Sequence, residues 1–232
     1  MNKGLFITLE GGEGSGKSVQ CSKLYERLVQ RYGDQLVIKT REPGGSTGAE
    51  LIRKMLLTGE VDRWFPMSEM LLFYAARYDH WRRTILPTIL RGGIVVCDRF
   101  FDSSVVYQGG GRGIPRKFFH AIHAMFAEID SEHPFLPDRT YILDIDPRRG
   151  VTRSNKRISQ FAEKDEKEDR FERIDIAFHE KVREEYFAVL EENPLRCVKI
   201  DAGQSIEQIH EDIWQDVETL LSGVTSPGSS HA

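Results

Sequence analysis

The stretch of residues 11–18 constrains the fold of this chain more than any other part of its sequence. It reads Gly-Gly-Glu-Gly-Ser-Gly-Lys-Ser and matches the pattern G-x-x-x-x-G-K-S/T. A short apolar run at residues 5–9 precedes it, and apolar residues at helical spacing follow it. A glycine-rich turn between a strand and a helix directs several backbone N–H groups, and the positive end of the helix dipole, at one point. The stretch therefore predicts an anion-binding loop in an α/β fold.

Two side chains of this loop fit the binding of a polyphosphate. Lys17 is placed to reach the β- and γ-phosphates, and the hydroxyl of Ser18 is placed to coordinate Mg²⁺. A glycine-rich turn with no ligand is the alternative. The strand before the loop and the helix after it favour the phosphate loop.

The rest of the chain alternates between apolar runs and helical patterns. The predicted strands are residues 5–9, 36–40, 94–97, 140–143 and 198–200. The predicted helices are residues 17–31, 47–57, 66–91, 115–129, 147–158, 174–192 and 205–221. Such alternation is typical of parallel βαβ units, so we expect an α/β fold in which helices cover both faces of a parallel sheet.

Two segments interrupt this alternation. Residues 108–113 contain four glycines and are expected to form a loop. Residues 159–173 are densely charged, so they form either a solvated loop or helix face, or part of a lid. We expect a single domain over residues 1–222 with a lid at about residues 154–173, followed by a disordered tail at residues 223–232.

Composition and charge exclude several classes of protein. The 232 residues carry a net charge of −4, whereas a dedicated nucleic-acid binder is normally strongly basic. No apolar run approaches the length of a membrane span. Cys21, Cys97 and Cys197 are odd in number and widely separated, which indicates reduced thiols in a reducing compartment. We therefore expect a cytoplasmic protein without a nucleic-acid or membrane partner.

Two arginines follow the ends of predicted strands. Arg41 comes after the second strand, and Asp98 and Arg99 come after the third. Ligands bind beyond the carboxyl ends of open parallel sheets, so both arginines should face the same crevice as Lys17. A guanidinium binds phosphate oxygens through two parallel hydrogen bonds, which predicts a second phosphate site. In the alternative, Arg41 pairs with Glu42 and Arg99 pairs with Asp98.

Four further motifs, in this order and spacing, resemble the thymidylate kinase family. They are residues 40–45 (Thr-Arg-Glu-Pro-Gly-Gly), 71–77 (Leu-Leu-Phe-Tyr-Ala-Ala-Arg), 98–104 (Asp-Arg-Phe-Phe-Asp-Ser-Ser) and 107–112 (Tyr-Gln-Gly-Gly-Gly-Arg). The resemblance extends from about residue 6 to the last helix. It implies a P-loop kinase fold with a five-stranded parallel sheet, phosphorylation of dTMP to dTDP by ATP and Mg²⁺, and a homodimer formed through helices.

The resemblance also implies which residues bind the two substrates. Those for ATP are Gly11, Gly12, Glu13, Gly14, Ser15, Gly16, Lys17, Ser18 and Arg153. Those for dTMP are Glu13, Arg41, Phe73, Arg77, Arg99, Ser103, Tyr107 and Gln108.

Within the acceptor set, each residue resembles one with a distinct role in the family. Glu13 would meet the 3′-hydroxyl of the deoxyribose, and Tyr107 would fill the space beside C2′ and disfavour a ribonucleotide. Phe73 would stack on thymine, and Arg77 would contact a base carbonyl. Plain packing of Phe73 in the core is the alternative.

The resemblance gives catalytic roles to Lys17, Arg99, Asp98 and Arg157. Because the acceptor is already an anionic phosphate oxygen, charge neutralisation and in-line positioning must contribute most of the catalysis. Asp98 resembles a carboxylate that acts on Mg²⁺, so Ser18 and Asp98 are the metal candidates. Alternatively, Asp98 is a strand-end cap paired with Arg99.

The catalytic arginine is expected in the lid. Some thymidylate kinases carry an arginine in the phosphate loop at the position where this chain has Gly14. Arg153 and Arg157 are four residues apart on a predicted helix and therefore share a face. This arrangement resembles the bacterial form of the family, in which the lid supplies the catalytic arginine. Arg157 is the candidate for that role, with Arg170 as its rival.

Other nucleotide-binding classes also use a phosphate loop. A guanine-nucleotide switch or an ATP-driven interaction module is one alternative, but the N/T-K-x-D guanine signature is absent from the sequence. A kinase for another nucleoside monophosphate is the other alternative. Activity on dCMP, UMP or AMP that exceeds activity on dTMP would reveal it.

Overall fold

The apolar runs of the sequence form one parallel sheet. The computed structural model describes residues 4–129, 136–161 and 168–225 and, within these, the side chains of residues 4–126, 136–156 and 168–222. The strands are β1 (Leu5–Gly11), β2 (Val37–Arg41), β3 (Ile94–Asp98), β4 (Arg139–Asp144) and β5 (Cys197–Asp201). They pair in the order β2-β3-β1-β4-β5, and every pairing is parallel. The predicted fold class is confirmed.

Helices connect the strands. They are α1 (Lys17–Tyr32), α2 (Thr47–Leu57), α3 (Pro66–His80), α4 (Leu86–Leu90), α5 (Phe101–Ser104), α6 (Arg116–Ile129), α7 (Pro147–Phe161), α8 (Ile176–Glu192) and α9 (Ile206–Thr225). The π-helical segment Trp81–Ile85 joins α3 to α4, and a second, Val105–Gly111, continues α5. Within the described ranges, no helix combines the length and the apolar character that a membrane span requires.

Successive side chains of the central strands enter two different cores. On β1, Phe6 packs into a core with α3, α6 and α8, whereas Ile7 and Leu9 pack on the opposite face against α1 and α9. On β3, Val95 and Val96 divide in the same way. Because neighbouring side chains of a strand point to opposite faces, a sheet covered on both faces needs unbroken apolar runs.

The glycine-rich stretch at residues 108–111 is helical, so the prediction of a loop there was wrong. These residues lie in the π-helical segment Val105–Gly111. A Cβ at Gly110 would lie 2.0 Å from Cγ of Glu185, and one at Gly111 would lie 2.4 Å from the ring of Phe178. The glycines are required because α8 packs directly on this segment.

The charged segment at residues 159–173 lies only partly within the described residues. Helix α7 runs to Phe161, and residues 162–167 lie outside the described part. Beyond that gap, Glu168 pairs with Arg53 of α2 at 2.6 Å. Arg170 is fully buried. This end of the segment is therefore docked against the protein and is not a solvated loop.

At the C-terminus, α9 extends to Thr225, into the predicted tail, and residues 226–232 lie outside the described part.

The phosphate loop and α7 approach each other at two glycines. A Cβ at Gly14 would lie 2.0 Å from the carbonyl oxygen of Gly150, and one at Gly150 would lie 2.3 Å from the carbonyl oxygen of Glu13. Gly14 also has a φ of 65°, which L side chains rarely adopt. An arginine at position 14 is therefore excluded by the position of α7.

Gly150→Ala is expected to lower the melting temperature. Alanine is more favourable than glycine within a helix by ~1 kcal/mol, so the substitution would stabilise α7 if the contact were absent. The clash with the loop backbone should reverse this sign and give a net loss of about 1–3 kcal/mol, as overpacking typically does.

Calorimetry on Gly150→Ala and on Gly12→Ala checks this expectation. Gly12 is the matched control, because a Cβ there meets nothing within 4 Å. A higher melting temperature for Gly150→Ala than for the parent would show that the close approach is absent in solution.

Candidate active site

A cavity of about 490 Å³ lies at the carboxyl ends of the central strands. Its lining includes Lys17 and Ser18 at the start of α1, Arg41 at the end of β2, and Asp98 and Arg99 at the end of β3. This edge of a parallel sheet is where ligands bind in open α/β folds. The structure thus brings the cations and the carboxylate singled out in the sequence into one crevice.

Lys17 is held over the phosphate loop by the loop itself. Its Nζ donates to the carbonyl oxygen of Gly12 at 2.8 Å and to Oγ of Ser15 at 3.3 Å. Burial, assisted by the nearby charge of Arg99 and opposed by the charge of Glu13, lowers the pKa of Lys17 to about 8. A phosphate bound at this place would favour the charged form of Lys17, and the charge of Lys17 would in turn strengthen the binding of the phosphate.

Ser18 and Asp98 meet at the mouth of the same loop. Oγ of Ser18 donates to Oδ2 of Asp98 at 2.5 Å. A hydroxyl and a carboxylate oxygen fit Mg²⁺, which is typically bound by one or two protein groups together with substrate phosphates and water. The pair therefore suits a metal ion that arrives with a nucleotide.

Arg99 turns back across the end of β1. Its φ is 70°, and it is the one non-glycine residue with positive φ in the described part of the chain. Its Nη2 donates to Oε1 of Glu13 at 2.7 Å and to the hydroxyl of Tyr107 at 3.0 Å, and its Nη1 donates to the carbonyl oxygen of Gly11 at 3.1 Å. The alternative pairing of Arg99 with Asp98 is not formed.

Glu13 is the acidic residue of the phosphate loop. It accepts hydrogen bonds from Arg99 and, at 2.8 Å, from the hydroxyl of Tyr107. Burial opposes its ionisation, but the charges of Arg99 and Lys17 hold its pKa at about 2. The charged carboxylate therefore neutralises part of the positive charge between the two sides of the cavity.

Glu10 supports the turn that carries Arg99, although no sequence pattern singled it out. Its fully buried carboxylate accepts from the backbone N–H of Phe100 at 2.7 Å, from Oγ of Ser103 at 2.5 Å and from the hydroxyl of Tyr186 at 2.8 Å. Burial raises its pKa. The only signal in the sequence is an acidic residue at the end of an apolar strand.

The residues predicted to bind the base or the sugar of the acceptor line the same cavity. They are Phe73, Arg77, Ser103, Tyr107 and Gln108. The ring of Phe73 is half-buried, packs against the core and lies 6.1 Å from the ring of Phe171. Phe73 is thus both a core residue and a wall of the cavity. Nε2 of Gln108 donates to Oε1 of Glu69 at 3.0 Å, which fixes the orientation of its amide.

Arg41 and Glu42 point to different partners. Arg41 is half-exposed and pairs with Glu50 of α2 at 3.0 Å. Glu42 is buried and pairs with Arg77 at 2.6 Å. The alternative pairing of Arg41 with Glu42 is therefore wrong, and Arg41 keeps access to the cavity.

Comparison with known proteins identifies the family. The family model described as thymidylate kinase matches residues 9–213. The chain is 43% identical over 212 residues to a thymidylate kinase of Caulobacter vibrioides (90% of this chain, 93% of that protein) and 45% identical over 218 residues to one of Jannaschia sp. (94% and 98%). The crystal structure of thymidylate kinase from Ehrlichia chaffeensis is 30% identical with a TM-score of 0.71, covering 93% of this chain and 99% of that one. The chain belongs to the thymidylate kinase family.

The lid arginines expected from the thymidylate kinase family differ in their surroundings. Arg153 is exposed on α7, and its Nη1 lies 3.5 Å from the carbonyl oxygen of Ala202, in the turn after β5. The side chain of Arg157 lies outside the described residues. The structure therefore shows the helix that carries Arg157 but not the reach of its guanidinium.

Arg170 is a structural clamp. It is fully buried, and its guanidinium donates to the carbonyl oxygens of Leu56, Glu60 and Val61 at 3.0 Å each. It also pairs with the buried carboxylate of Glu69. A guanidinium with these four partners cannot reach a transferring phosphoryl group without leaving the core.

Glu172 is a second functional candidate that the sequence did not single out, because it lies at the end of a run of charged residues. It lines the cavity together with Glu13, is 9% exposed, and accepts from Oγ of Ser154 at 3.0 Å. Burial, assisted by the charge of Glu13, raises the pKa of Glu172 to about 7. The contact with Ser154 ties the segment that carries Glu172 to α7.

Glu172→Gln is expected to stabilise the protein in a pH-dependent manner. With a pKa of about 7 against an ordinary 4.5, the folded protein keeps this proton over a range in which the unfolded chain has lost it. The contribution of Glu172 to stability is therefore complete below pH 4.5 and is lost as the pH rises to about 7. Glutamine carries no charge, so the variant should exceed the parent by about 1–3 kcal/mol at pH 8, and the gap should close towards pH 4.5.

Urea unfolding of both proteins across this pH range measures the gap. Glu184→Gln, at an exposed position of α8, is the control and should show no such trend. A gap between Glu172→Gln and the parent that does not change with pH would refute the expectation.

Proposed function

We propose that this chain transfers the γ-phosphoryl group of ATP to the phosphate of dTMP, giving ADP and dTDP. Membership of the thymidylate kinase family supports this reaction. The observation that carries the assignment is that Lys17 of the phosphate loop and Arg99 after β3 line one cavity. The charged Glu13 lies close enough to interact with both cations. Two cationic centres in one crevice suit a reaction that joins two phosphate groups.

In this proposal ATP binds along the phosphate loop. Residues 11–18 cradle the β- and γ-phosphates with backbone N–H groups, and Lys17 neutralises their charge. Arg153 lies against adenine. Its place beside Ala202 supports this role, since the turn after β5 resembles the loop that covers the adenine edge in related kinases.

The monophosphate of dTMP binds on the other side of the cavity. Arg99 and Arg41 hold its oxygens, and Glu13 meets the 3′-hydroxyl. Arg99 is preorganised for this by its contacts with Glu13 and Tyr107, so it loses little conformational freedom when the acceptor binds. The ring of Tyr107 lies beside C2′ and disfavours a ribose hydroxyl.

The base occupies the part of the cavity lined by Phe73. Thymine stacks on this ring, and Arg77 donates to a base carbonyl. Gln108 and Ser103 complete the polar lining. The buried ion pair of Arg77 with Glu42 supports this role because it holds the guanidinium in one orientation at the wall of the cavity.

Catalysis is electrostatic in this mechanism. The acceptor oxygen needs no general base, because a phosphate monoester carries about −1.5 to −2 charges at neutral pH. Ser18 and Asp98 would hold Mg²⁺, which neutralises charge on the ATP phosphates when bound. Lys17 and Arg99 fix the donor and acceptor groups in line, and Asp98 also helps to orient the acceptor.

The lid completes the site. We assign residues 154–173 to the lid of a single domain over residues 1–222, and Arg157 to the transferring phosphoryl group. The steric exclusion of any side chain at Gly14 supports an arginine from the lid, and the complete burial of Arg170 supports Arg157 over Arg170.

A cytoplasmic homodimer completes the proposal. Exposed apolar side chains lie four residues apart on two helices that pack on each other, at Leu51 and Met55 of α2 and at Met67 and Leu71 of α3. Such stripes are typical of interfaces between subunits. The free, buried thiols fit a reducing compartment.

A coupled ADP-release assay over dTMP, dCMP, UMP and AMP tests the function. We expect dTMP to be the best acceptor, and another monophosphate that surpassed it would move the chain to a different kinase activity. Lys17→Ala should lower kcat at least ~10²-fold, because one preorganised contact to the transferring group is worth that much. Lys23→Ala is the matched control, a half-exposed lysine on the same helix. Activity of Lys17→Ala near that of the control would remove the phosphate loop from the mechanism.

Substitution of the two lid arginines should separate catalysis from stability. Arg157→Ala should lower kcat at least ~10-fold with an unchanged melting temperature, since arginines delivered to phosphoryl transfer contribute up to ~10³–10⁵ in rate. Arg170→Ala should lower the melting temperature, because it leaves the buried Glu69 without its ion-pair partner Arg170. Normal kcat in Arg157→Ala, with a fully folded but inactive Arg170→Ala, would reverse the assignment.

A further inference from the structure

A row of polar side chains lies behind the base pocket, and the mechanism above uses only its end at Arg77 and Glu42. Oγ1 of Thr40 lies 2.7 Å from Nε2 of His80, and Nδ1 of His80 lies 3.0 Å from Oε1 of Glu42. The other oxygen of Glu42, Oε2, accepts from Nε of Arg77 at 2.6 Å. The row therefore leads from the end of β2 to a guanidinium at the wall of the cavity.

We propose that His80 is a positioning residue for the acceptor base: acting through Glu42, it holds the guanidinium of Arg77 in the orientation that reads a pyrimidine carbonyl. This inference rests on the proposed function. His80 is fully buried and does not line the cavity, so it acts through other side chains and not on the substrate itself.

The hydrogen bonds of Arg77 leave donors for a ligand. Nη1 donates to Oγ of Ser104 and Nη2 to the carbonyl oxygen of Phe100, both at 2.9 Å. Of the five N–H donors of the guanidinium, these two contacts and the one to Glu42 use three within the described part of the chain, which leaves one on each Nη. The direction of the remaining donors depends on the plane of the guanidinium. Glu42 accepts from Nε and thereby helps to fix this plane.

Glu42 depends on His80 in turn. A carboxylate only accepts hydrogen bonds, so Nδ1 of His80 is the donor to Oε1 of Glu42. Without the imidazole, this oxygen would lie buried and unpaired, and the carboxylate would gain by rotating away from Arg77. Both ring nitrogens of His80 therefore help to keep Glu42 in place, since Nδ1 donates to Glu42 and Nε2 is held by the hydroxyl of Thr40.

The loop between β2 and α2 closes over His80. A Cβ at Gly45 would lie 2.2 Å from Nε2 of the ring and 2.4 Å from Oγ1 of Thr40. The hydroxyl of Thr84 donates to the carbonyl oxygen of Gly45 at 2.7 Å. This loop directly follows Arg41, which is proposed to bind the acceptor phosphate. The imidazole of His80 packs under the loop and lies three residues after Arg77, which is proposed to bind the base.

Steady-state kinetics with dTMP and dCMP test the proposal. The two acceptors differ at ring position 4, where dTMP has a carbonyl oxygen and dCMP an amino group, and at position 5, where only dTMP has a methyl group. We assign Arg77 to the carbonyl at position 4, so a misdirected Arg77 loses the discrimination that this position supplies. His80→Ala should raise the KM for dTMP and lower the ratio of kcat/KM for dTMP over dCMP by about tenfold or more, with the KM for ATP unchanged. His80→Asn retains a donor near the position of Nδ1 and should recover most of both effects. His210→Ala is the matched control, a buried histidine on α9 at the opposite face of the sheet.

Several outcomes would overturn the role of His80. An unchanged dTMP/dCMP ratio in His80→Ala, with or without a lower melting temperature, would leave the residue a purely structural role. If that variant does not fold, Thr40→Val, which removes only the hydroxyl at the far end of the row, must still lower the ratio, and an unchanged ratio there overturns the proposal. Failure of the parent protein to phosphorylate dTMP would instead contradict the proposed function, so the two failures are distinguishable.

Discussion

The ion pair between Arg99 and Glu13 joins the two sides of the active site. Nη2 of Arg99 lies 2.7 Å from Oε1 of Glu13, and the side chains are only 15% and 14% exposed. One partner follows β3 and the other lies in the loop after β1, and these strands are neighbours in the sheet. Loss of one partner from a buried pair costs about 3–5 kcal/mol, whereas an exposed pair such as Arg31 with Glu218 contributes ~0–1 kcal/mol. The Arg99 pair therefore sets the geometry between the phosphate loop and the turn after β3.

Local charge and not net charge prepares the site for two anionic substrates. The chain carries a net charge of −4, and salt screens exposed charges beyond ~8 Å. Within the cavity, a lysine with a pKa of about 8 and a carboxylate with a pKa of about 2 lie close to Arg99. Glu13 therefore offsets the repulsion between Lys17 and Arg99, and the buried Glu10 holds the backbone of the turn. Rigid donors that line a cavity are the arrangement that electrostatic catalysis needs.

Local patterns in the sequence predicted the sheet, the helices and the phosphate loop, because each depends on neighbouring residues. The features that these local patterns did not predict depend on contacts between distant parts of the chain. Gly110 is helical because α8 lies against it, and Arg170 is buried although its neighbours in the sequence are charged. Glu10 lies at the end of an apolar strand and His80 lies among other polar residues of a helix, so neither stands out in the sequence, and their partners lie on other elements. The family resemblance named several residues of the cavity wall, among them Lys17 and Arg99, but neither Glu172 at that wall nor the residues behind it.

A double-mutant cycle on dTMP affinity tests most directly whether Arg99 and Glu13 act as one unit. Isothermal titration would compare the parent, Glu13→Gln, Arg99→Ala and the double variant, with the exposed pair Arg31 and Glu218 as a control cycle. We expect the double variant to lose less affinity than the product of the two single losses, by a factor of ~3 or more, and the control cycle to show no coupling. Losses that multiply in both cycles would contradict this expectation, since Arg99 and Glu13 would then contribute to the acceptor site independently.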